Sequence, residues 1–326
     1  MAIDARRTPA SASASGEPGP TAGPDGAGRL RANTTTRVVS SNVSVWRRIP
    51  DLWRHRELLL GLIGKELKVK YKDSVLGFAW SMLNPALYLA VFFFVFQIAL
   101  RNTIPYFAIF LLCGLVVWNF FSAAVMGATT AVVGGAGLIK KVAFPREMLA
   151  LASVGAALVF FFLQGIVLVI ALAAFQFKPA LHYLPLLVPA MLALVVLASA
   201  LAVFLSAINV HFRDTQHLLE LVLVAWFWGT PIVYAYETIA NRLSTHGITW
   251  IYLLNPVVPI VLTFQRALYA KPFPKGTDGH PIQILPLWGP GEYLWLLLIV
   301  LGVSTAAFIG ALTVFGRREG NFAEEL

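Results

Sequence analysis

The sequence predicts an all-α integral membrane protein with six transmembrane helices, an N-terminal amphipathic interfacial helix, and a re-entrant helical hairpin between spans five and six. The mean hydropathy is +0.74 and only 13% of the residues are charged, against roughly 25% in ordinary soluble domains. Several apolar segments also exceed the roughly 20 residues that cross a hydrocarbon core. None alternates evenly between apolar and polar residues as barrel strands do, which favours helices.

Residues 1–44 are predicted to form a disordered cytoplasmic tail. Ala, Ser, Gly, Pro and Thr dominate this segment, and such a composition buries too little apolar surface to fold. No apolar core follows its early arginines, so the pattern is not that of a secretory signal peptide. The membrane domain is predicted to occupy residues 45–326.

The stretch Asp51–Lys72 is predicted to be an amphipathic helix at the membrane surface. Leu59, Ile63, Leu67 and Tyr71 recur every four residues and therefore share one face. We expect this face to lie in the membrane, with most of the cations off it. The cations predicted to contact lipid headgroups of the inner leaflet are Lys65, Lys68, Lys70 and Lys72. The alternative is a basic helix that only enforces orientation.

Six apolar segments follow this helix. They are Phe78–Leu100, Tyr106–Val133, Leu149–Phe175, Leu184–Val210, Leu218–Tyr236 and Tyr293–Phe315. Most Lys and Arg residues fall in the segments that this topology places in the cytoplasm, so both termini are predicted to be cytoplasmic. The same distribution explains the net charge of +9 without a nucleic-acid partner. Ionisable residues are nearly absent from the spans, which argues against a proton- or sodium-coupled carrier.

The loop between spans two and three has the composition of a docking element. After a glycine-rich start it carries Lys140, Lys141, Phe144, Pro145, Arg146 and Glu147. An apolar side chain ringed by charge is suited to a partner's groove, so we predict docking; a simple turn is the alternative. The turn between spans four and five is a candidate for the same surface through Arg213 and Asp214, which are otherwise a solvated pair.

Residues 237–292 pose the main topological question. Thr249–Leu268 is apolar enough for a seventh span, but prolines interrupt it and a seventh span would place the C-terminus outside. A hairpin that enters the outer leaflet and turns back resolves this conflict. We also expect Pro231 to kink span five just before the hairpin. The residues predicted to form an external gate are Pro231, Asn255, Pro256 and Pro259. A structural lid is the alternative.

The sequence contains no motif for nucleotide binding or for hydrolysis. It has no G-x-x-x-x-G-K-[ST] phosphate loop, no H-E-x-x-H and no G-x-S-x-G. The carboxylates of the loops are scattered, and His211 and His217 are six residues apart, so they do not share a helical face as zinc ligands would. We therefore predict a non-catalytic chain with no cofactor or metal of its own, which draws its energy from a partner.

An ordered set of short motifs resembles one family. Residues 71–85, with the sequence YKDSVLGFAWSMLNP, are similar to the start of span one in ABC-2 type permeases of bacterial polysaccharide exporters. Residues 139–147 resemble that family's cytoplasmic loop after span two. The motifs that follow in matching order are Phe212–Asp214, Thr230–Tyr234, Leu254–Pro256 and Phe322–Leu326. The resemblance covers residues 45–326.

This resemblance implies a homodimeric permease that pairs with two copies of a separate ATPase, which binds the ATP and Mg²⁺. It implies export of a polyprenyl-linked polysaccharide, such as O-antigen, teichoic acid or a cell-wall galactan, across the bacterial cytoplasmic membrane. Residues 138–147 would then couple to the ATPase. Phe92, Trp118 and Trp226 are candidates for aromatic side chains that line a sugar channel. The alternatives are an ABC-2 exporter of a drug or lipid, a passive channel, or a membrane glycosyltransferase.

Overall fold

The computed structural model describes residues 45–70, 83, 86–87, 90–99, 104–142, 144–244, 249–271 and 283–325. Every regular element in these ranges is helical, and they contain no strand. The all-α prediction is therefore confirmed for the described residues. The predicted tail, residues 1–44, and ten of the 23 residues of predicted span one lie outside them.

Twelve α-helices are defined within the described residues. They are α1 (Val45–Arg54), α2 (Arg56–Lys70), α3 (Phe107–Gly134), α4 (Ala136–Ile139), α5 (Glu147–Ala174), α6 (Leu187–His211), α7 (Thr215–Trp228), α8 (Tyr236–Ser244), α9 (Thr249–Leu253), α10 (Val257–Phe264), α11 (Pro290–Arg318) and α12 (Phe322–Glu325). The π-helical segments are Phe93–Ala99 and Gln265–Tyr269, and the 3₁₀ turns are Leu184–Leu186 and Glu319–Asn321.

Four of the described helices are long and apolar enough to cross a membrane. They are α3, α5, α6 with its leading 3₁₀ turn, and α11, and each has 28 or 29 residues. At a rise of 1.5 Å per residue they are about 42 Å long, which exceeds a hydrocarbon core of about 30 Å. Their ends agree to within three residues with predicted spans two, three, four and six.

Predicted span five, Leu218–Tyr236, is interrupted. Helix α7 ends at Trp228, and Gly229 follows as its C-terminal cap. Pro231 lies in the turn between α7 and α8 and does not kink a continuous helix, which corrects the prediction. The physical reason is that proline has no N–H with which to extend a helix. The count of six spans remains a prediction.

Helix α3 lies at the centre of the bundle. It packs against α5 and α6, and α6 packs in turn against α11. In the most hydrophobic stretch of α3, 78% of the residues are buried, against 28% in α11. The outer helices expose apolar stripes, such as Phe162, Ile166 and Ile170 on α5, which are spaced four residues apart. A hydrocarbon solvent stabilises such stripes.

The bundle has two chemically different ends. At the basic end, Arg146 donates a hydrogen bond to the backbone oxygen of Glu319, so the loop before α5 meets the chain after α11. This end also carries α1, the turn after α6, and the exposed residues Lys140 and Lys141. At the opposite end, the hydroxyl of Tyr269 donates to the backbone oxygen of Pro105 at 2.8 Å. We call residues 249–271 the hairpin and this end the hairpin end, and re-entry of the hairpin into the membrane stays a prediction.

Candidate functional site

Helix α2 packs against the protein. Leu59 and Ile63 contact a buried cluster to which α3, α5, α6 and α11 contribute. Gly155 of α5 makes room for this contact, because a Cβ there would lie 2.8 Å from Cγ1 of Ile63. Two of the four residues of the face predicted to lie in the membrane thus pack on protein, and Tyr71 of that face lies outside the described residues. Among the side chains described in α1 and α2, the large apolar ones that are exposed are Trp53, Leu60 and Val69.

The cations predicted to contact lipid headgroups differ in their surroundings. Lys65, Lys68 and Lys70 are all exposed, whereas Lys72 lies outside the described residues. The Lys70 ammonium sits 4.4 Å from the centre of the Phe160 ring, which is a cation–π contact. Partial burial there lowers the pKa of Lys70. Phe160 is about 20 Å along α5 from its first residue, so Lys70 lies deeper along the bundle than a surface helix implies.

One half of the loop before α5 is exposed, and the other half packs against the protein. Lys140, Lys141 and Val142 are exposed. Phe144 is half-buried against the same cluster that α2 contacts, and Pro145 is half-buried beside it. Docking of Phe144 into a partner's groove stays a prediction, because an apolar surface of the protein itself covers only part of the ring. The helical part of this loop is the single turn α4.

Arg146 and Glu147 also turn inward, where they join two residues that the sequence analysis missed. Nη1 of Arg48 donates to Oε1 of Glu147 at 3.2 Å, and Nη2 of Arg48 donates to Oε2 of Glu319 at 3.0 Å. Nη1 of Arg146 donates to the backbone oxygen of Glu319 at 2.8 Å, and its Nε lies 3.8 Å from the Glu319 carboxylate. We call these four residues the ion cluster.

The ion cluster is buried at Arg48 and Glu147 and partly exposed at Arg146 and Glu319, and contact of Arg146 and Glu147 with an ATPase stays a prediction. The side chains of Arg48 and Glu147 are 8% and 1% exposed. Partners separated by 99 and 271 residues leave no local signal in the sequence. Gly316 permits the arrangement, because a Cβ there would lie 2.8 Å from Nη2 of Arg48.

The turn after α6 lies beside the start of the same loop. Arg213 and Asp214 are both exposed and line a cavity of about 390 Å³. The other lining residues are Thr130, Val133, Gly134, Asn209, Gln216 and His217. The turn after α6 therefore shares this cavity with the C-terminal end of α3, the helix that leads into the loop predicted to contact an ATPase.

The three aromatic side chains predicted to line a channel come together with Phe121 and Phe227. Phe92 stacks on Phe227 at 5.8 Å between ring centres, and Trp118 meets Phe227 edge to face at 5.6 Å. Phe121 meets Trp226 edge to face at 5.1 Å. These are favoured aromatic geometries. Trp118 is 7% exposed, so within the single chain its ring contacts other side chains and faces no open channel.

Asn255 connects the hairpin to the end of α7. Its Oδ1 accepts hydrogen bonds from Nε1 of Trp226 at 2.8 Å and from the backbone N–H of Val257 at 3.0 Å. Its Nδ2 donates to the backbone oxygen of Gly229 at 3.2 Å and to Oγ1 of Thr230 at 3.0 Å. One amide therefore satisfies groups at the C-terminus of α7 and at the N-terminus of α10.

The remaining residues of the predicted gate lie next to Asn255. Pro256 precedes α10, and Pro259 is buried within it. Pro231 is buried in the turn after α7, where its backbone oxygen accepts a hydrogen bond from Nε2 of Gln265 at 2.9 Å. The neighbouring Ile232 approaches α3 closely enough that a Cβ at Gly114 would lie 3.0 Å from its Cγ2. The structure thus brings all four residues into one packed unit at the hairpin end.

Comparison with known proteins identifies the family. A family model described as ABC-2 type transporter matches residues 57–269, about two thirds of the chain. This chain belongs to the ABC-2 type transporter family. The match runs from α2 through the hairpin and ends at Tyr269, so Arg48 and Glu319 of the ion cluster lie outside it. The resemblance found in the sequence motifs is thereby confirmed.

This ABC-2 transporter is similar to named export proteins over most of its length. It is 32% identical to the O-antigen export system permease protein RfbA of Myxococcus xanthus, covering 86% of this chain and 99% of that protein. It is 29% identical to the protein of the same name from Klebsiella pneumoniae, covering 83% and 95%. It is 22% identical to the polysialic acid transport protein KpsM of Escherichia coli, covering 63% and 78%.

Proposed function

We propose that this ABC-2 transporter is the permease subunit of an ATP-driven exporter that moves a polyprenyl-linked polysaccharide across the bacterial cytoplasmic membrane for envelope assembly. The observation that carries the proposal is the similarity to O-antigen export permeases over more than four fifths of this chain. The more distant similarity to a polysialic acid transport protein supports a polysaccharide substrate. This similarity favours a polysaccharide over a drug as the exported substrate.

The energy source in this proposal is a separate ATPase, present in two copies with a homodimer of this chain. The sequence has no phosphate loop, so ATP and Mg²⁺ bind to the partner. The proposed docking surface consists of Lys140, Lys141, Val142, Arg213 and Asp214, which are exposed at the basic end. Phe144, Arg146 and Glu147 support this surface from beneath.

The basic end faces the cytoplasm in this proposal, and the hairpin end faces outward. Lys140, Lys141 and Arg213 lie near the ends of apolar helices at the basic end, which agrees with the positive-inside rule. The proposal includes six spans, with both termini in the cytoplasm. Helix α2 lies at the inner leaflet with Lys65 and Lys68 toward the headgroups, and the hairpin is re-entrant and forms the external gate.

The aromatic residues take part in export once the packing changes. In the single chain, Phe227 lies against the rings of Phe92 and Trp118, and Phe121 lies against the ring of Trp226. Rigid-body movement of the helices during the ATPase cycle separates such contacts, and the uncovered rings then offer faces on which sugars stack. Asn255 links Trp226 to the hairpin, so movement of the gate and exposure of these rings are coupled.

The first test is co-purification of the tagged chain with the ABC ATPase encoded beside it. We expect a stable complex in mild detergent, with an ATP hydrolysis rate that differs from that of the ATPase alone. Deleting the gene is expected to remove a surface polysaccharide, and re-expression is expected to restore it. A chain that binds no ATPase, or a deletion that changes drug resistance and leaves every surface glycan intact, would contradict the proposal.

A double charge reversal tests the docking surface. We expect Lys140→Glu with Lys141→Glu to lower ATPase binding at least tenfold, about 1.4 kcal/mol, because two exposed cations become anions at the contact. Binding is measured by titrating the ATPase against purified permease. Lys178→Glu is the matched control, since Lys178 is exposed at the hairpin end. Equal binding by all three proteins would remove residues 140 and 141 from the interface.

A further inference from the structure

We propose that the C-terminal segment Glu319–Glu325 is a strut that ties the two ATPase-facing segments into one mechanical unit. The segments are the loop of residues 135–147 and the turn after α6. This inference rests on the proposed function, because it concerns how ATPase movement reaches the spans. Arg48, Gly316 and Glu319 then act as positioning residues for the loop.

The first attachment of the strut is the ion cluster. Glu319 bonds Arg146 through its backbone oxygen and Arg48 through its carboxylate, while Arg48 also bonds Glu147. Two guanidinium groups balance two carboxylates, so the site is neutral as a whole. Breaking a buried pair leaves an uncompensated charge. The loop, α1 and the strut are therefore held to move together.

The second attachment lies at the other end of the strut. Phe322 is fully buried, and its ring centre lies 5.3 Å from that of Phe315 and 6.0 Å from that of His211. Oε1 of Glu325 lies 3.3 Å from Nε2 of His211. His211 is the last residue of α6 and directly precedes the turn that carries Arg213 and Asp214. The strut thus spans both segments of the docking surface.

The charged side chains of the first attachment fix the orientation of the segments that they join more than they stabilise the fold. Apolar side chains of similar volume hold buried segments together at least as well as an ion pair does. Guanidinium–carboxylate hydrogen bonds are directional, however, and fix the relative orientation of the groups that they join. Such a contact suits a position where movement of one loop has to be transmitted directly to another segment.

Two glycines of α11, Gly316 and Gly310, allow the decisive experiment. A Cβ at Gly316 would meet the Arg48 guanidinium, whereas a Cβ at Gly310 meets no atom within 4 Å. Gly316→Ala therefore displaces Arg48 without removing a charge, and Gly310→Ala is the matched control. Alanine favours a helix over glycine, so a loss in Gly316→Ala alone reports the clash. Glu319→Gln is a second variant that keeps the volume and removes the charge.

Two readouts are measured on the complex of full-length permease with its ATPase. We expect Gly316→Ala and Glu319→Gln to bind the ATPase as the unchanged chain does, but to export polysaccharide at least fivefold more slowly per bound ATPase. The rate of hydrogen exchange is expected to rise both in residues 136–142 and in residues 212–217. This is expected although the two substitutions directly disturb only contacts of α1 and the strut. Gly310→Ala is expected to leave both readouts unchanged.

The possible outcomes test the strut hypothesis separately from the proposed function. Unchanged export by both variants, or faster exchange confined to α1 and the strut, would overturn the inference while the exporter assignment stands. If the unchanged chain binds no ATPase, the proposed function fails, and the exchange experiment still decides whether the two segments are tied together. If Gly316→Ala does not accumulate in the membrane, Glu319→Gln alone decides between these outcomes.

Discussion

Replacing Asn255 with alanine is expected to release the hairpin from the end of α7 and to produce the largest loss of stability among single substitutions at the hairpin end. The change removes the partner of four groups, at Trp226, Gly229, Thr230 and Val257. A buried polar group left without a partner costs about 1–3 kcal/mol. We expect the free energy of unfolding to fall by about 3 kcal/mol, since some of these groups regain water.

The measurement is thermal unfolding in detergent, together with hydrogen exchange of residues 249–271. Asn119→Ala is a graded control, because the Asn119 side chain donates one hydrogen bond, to Gln164. Asn255→Asp keeps an oxygen to accept from Trp226 and Val257 but places a second carboxylate oxygen against the carbonyl oxygen of Gly229, so it should be destabilising as well. Equal losses for Asn255→Ala and Asn119→Ala would contradict the connecting role of Asn255.

Replacing Gly155 with alanine is expected to lift α2 from α5. The added Cβ would overlap the Ile63 side chain, and overpacking of this kind costs about 1–3 kcal/mol. Ile63→Ala in the same chain removes the obstacle, so we expect the double variant to be more stable than Gly155→Ala alone. The free energy of unfolding and the protease sensitivity of residues 56–70 are the quantities to measure.

The control for this prediction lies on the same helix. Gly165→Ala places a Cβ where no atom lies within 4 Å, and alanine favours the helix, so that variant should be as stable as the unchanged chain or slightly more stable. If α2 lay only in lipid, Gly155→Ala would behave like Gly165→Ala. Comparison of Gly155→Ala with Gly165→Ala therefore distinguishes a helix that packs on protein from one that contacts only the membrane surface.

The long helices could be predicted because the physical signal is local. Each residue of α3, α5, α6 and α11 contributes its own transfer free energy to a window of about 20 residues, and the predicted ends agree to within three residues. The end of α7 was less predictable. Pro231 favours a break near this point, but the turn that follows α7 is also held by Asn255, which is 26 residues beyond Gly229 and donates a hydrogen bond to its carbonyl oxygen.

The candidate site was only partly predictable for the same reason. Lys140 and Lys141 are exposed, as a docking loop requires. Arg146 and Glu147 carry the same kinds of charge, yet they face inward, because Arg48 and Glu319 are there to pair with them. No pattern within the loop distinguishes a cation that meets solvent from one that meets a distant carboxylate.

The sequence by itself determined the class of protein, the positions of four apolar helices, the family, and the residue types at the docking loop. These properties are sums over neighbouring residues or short motifs, and they do not depend on what the chain meets elsewhere. Tertiary structure alone decided the packing of α2 on Gly155, the ion cluster around Arg48, and the four hydrogen bonds of Asn255. Each of these joins residues far apart in the chain, and its energy exists only once folding has brought them within contact distance.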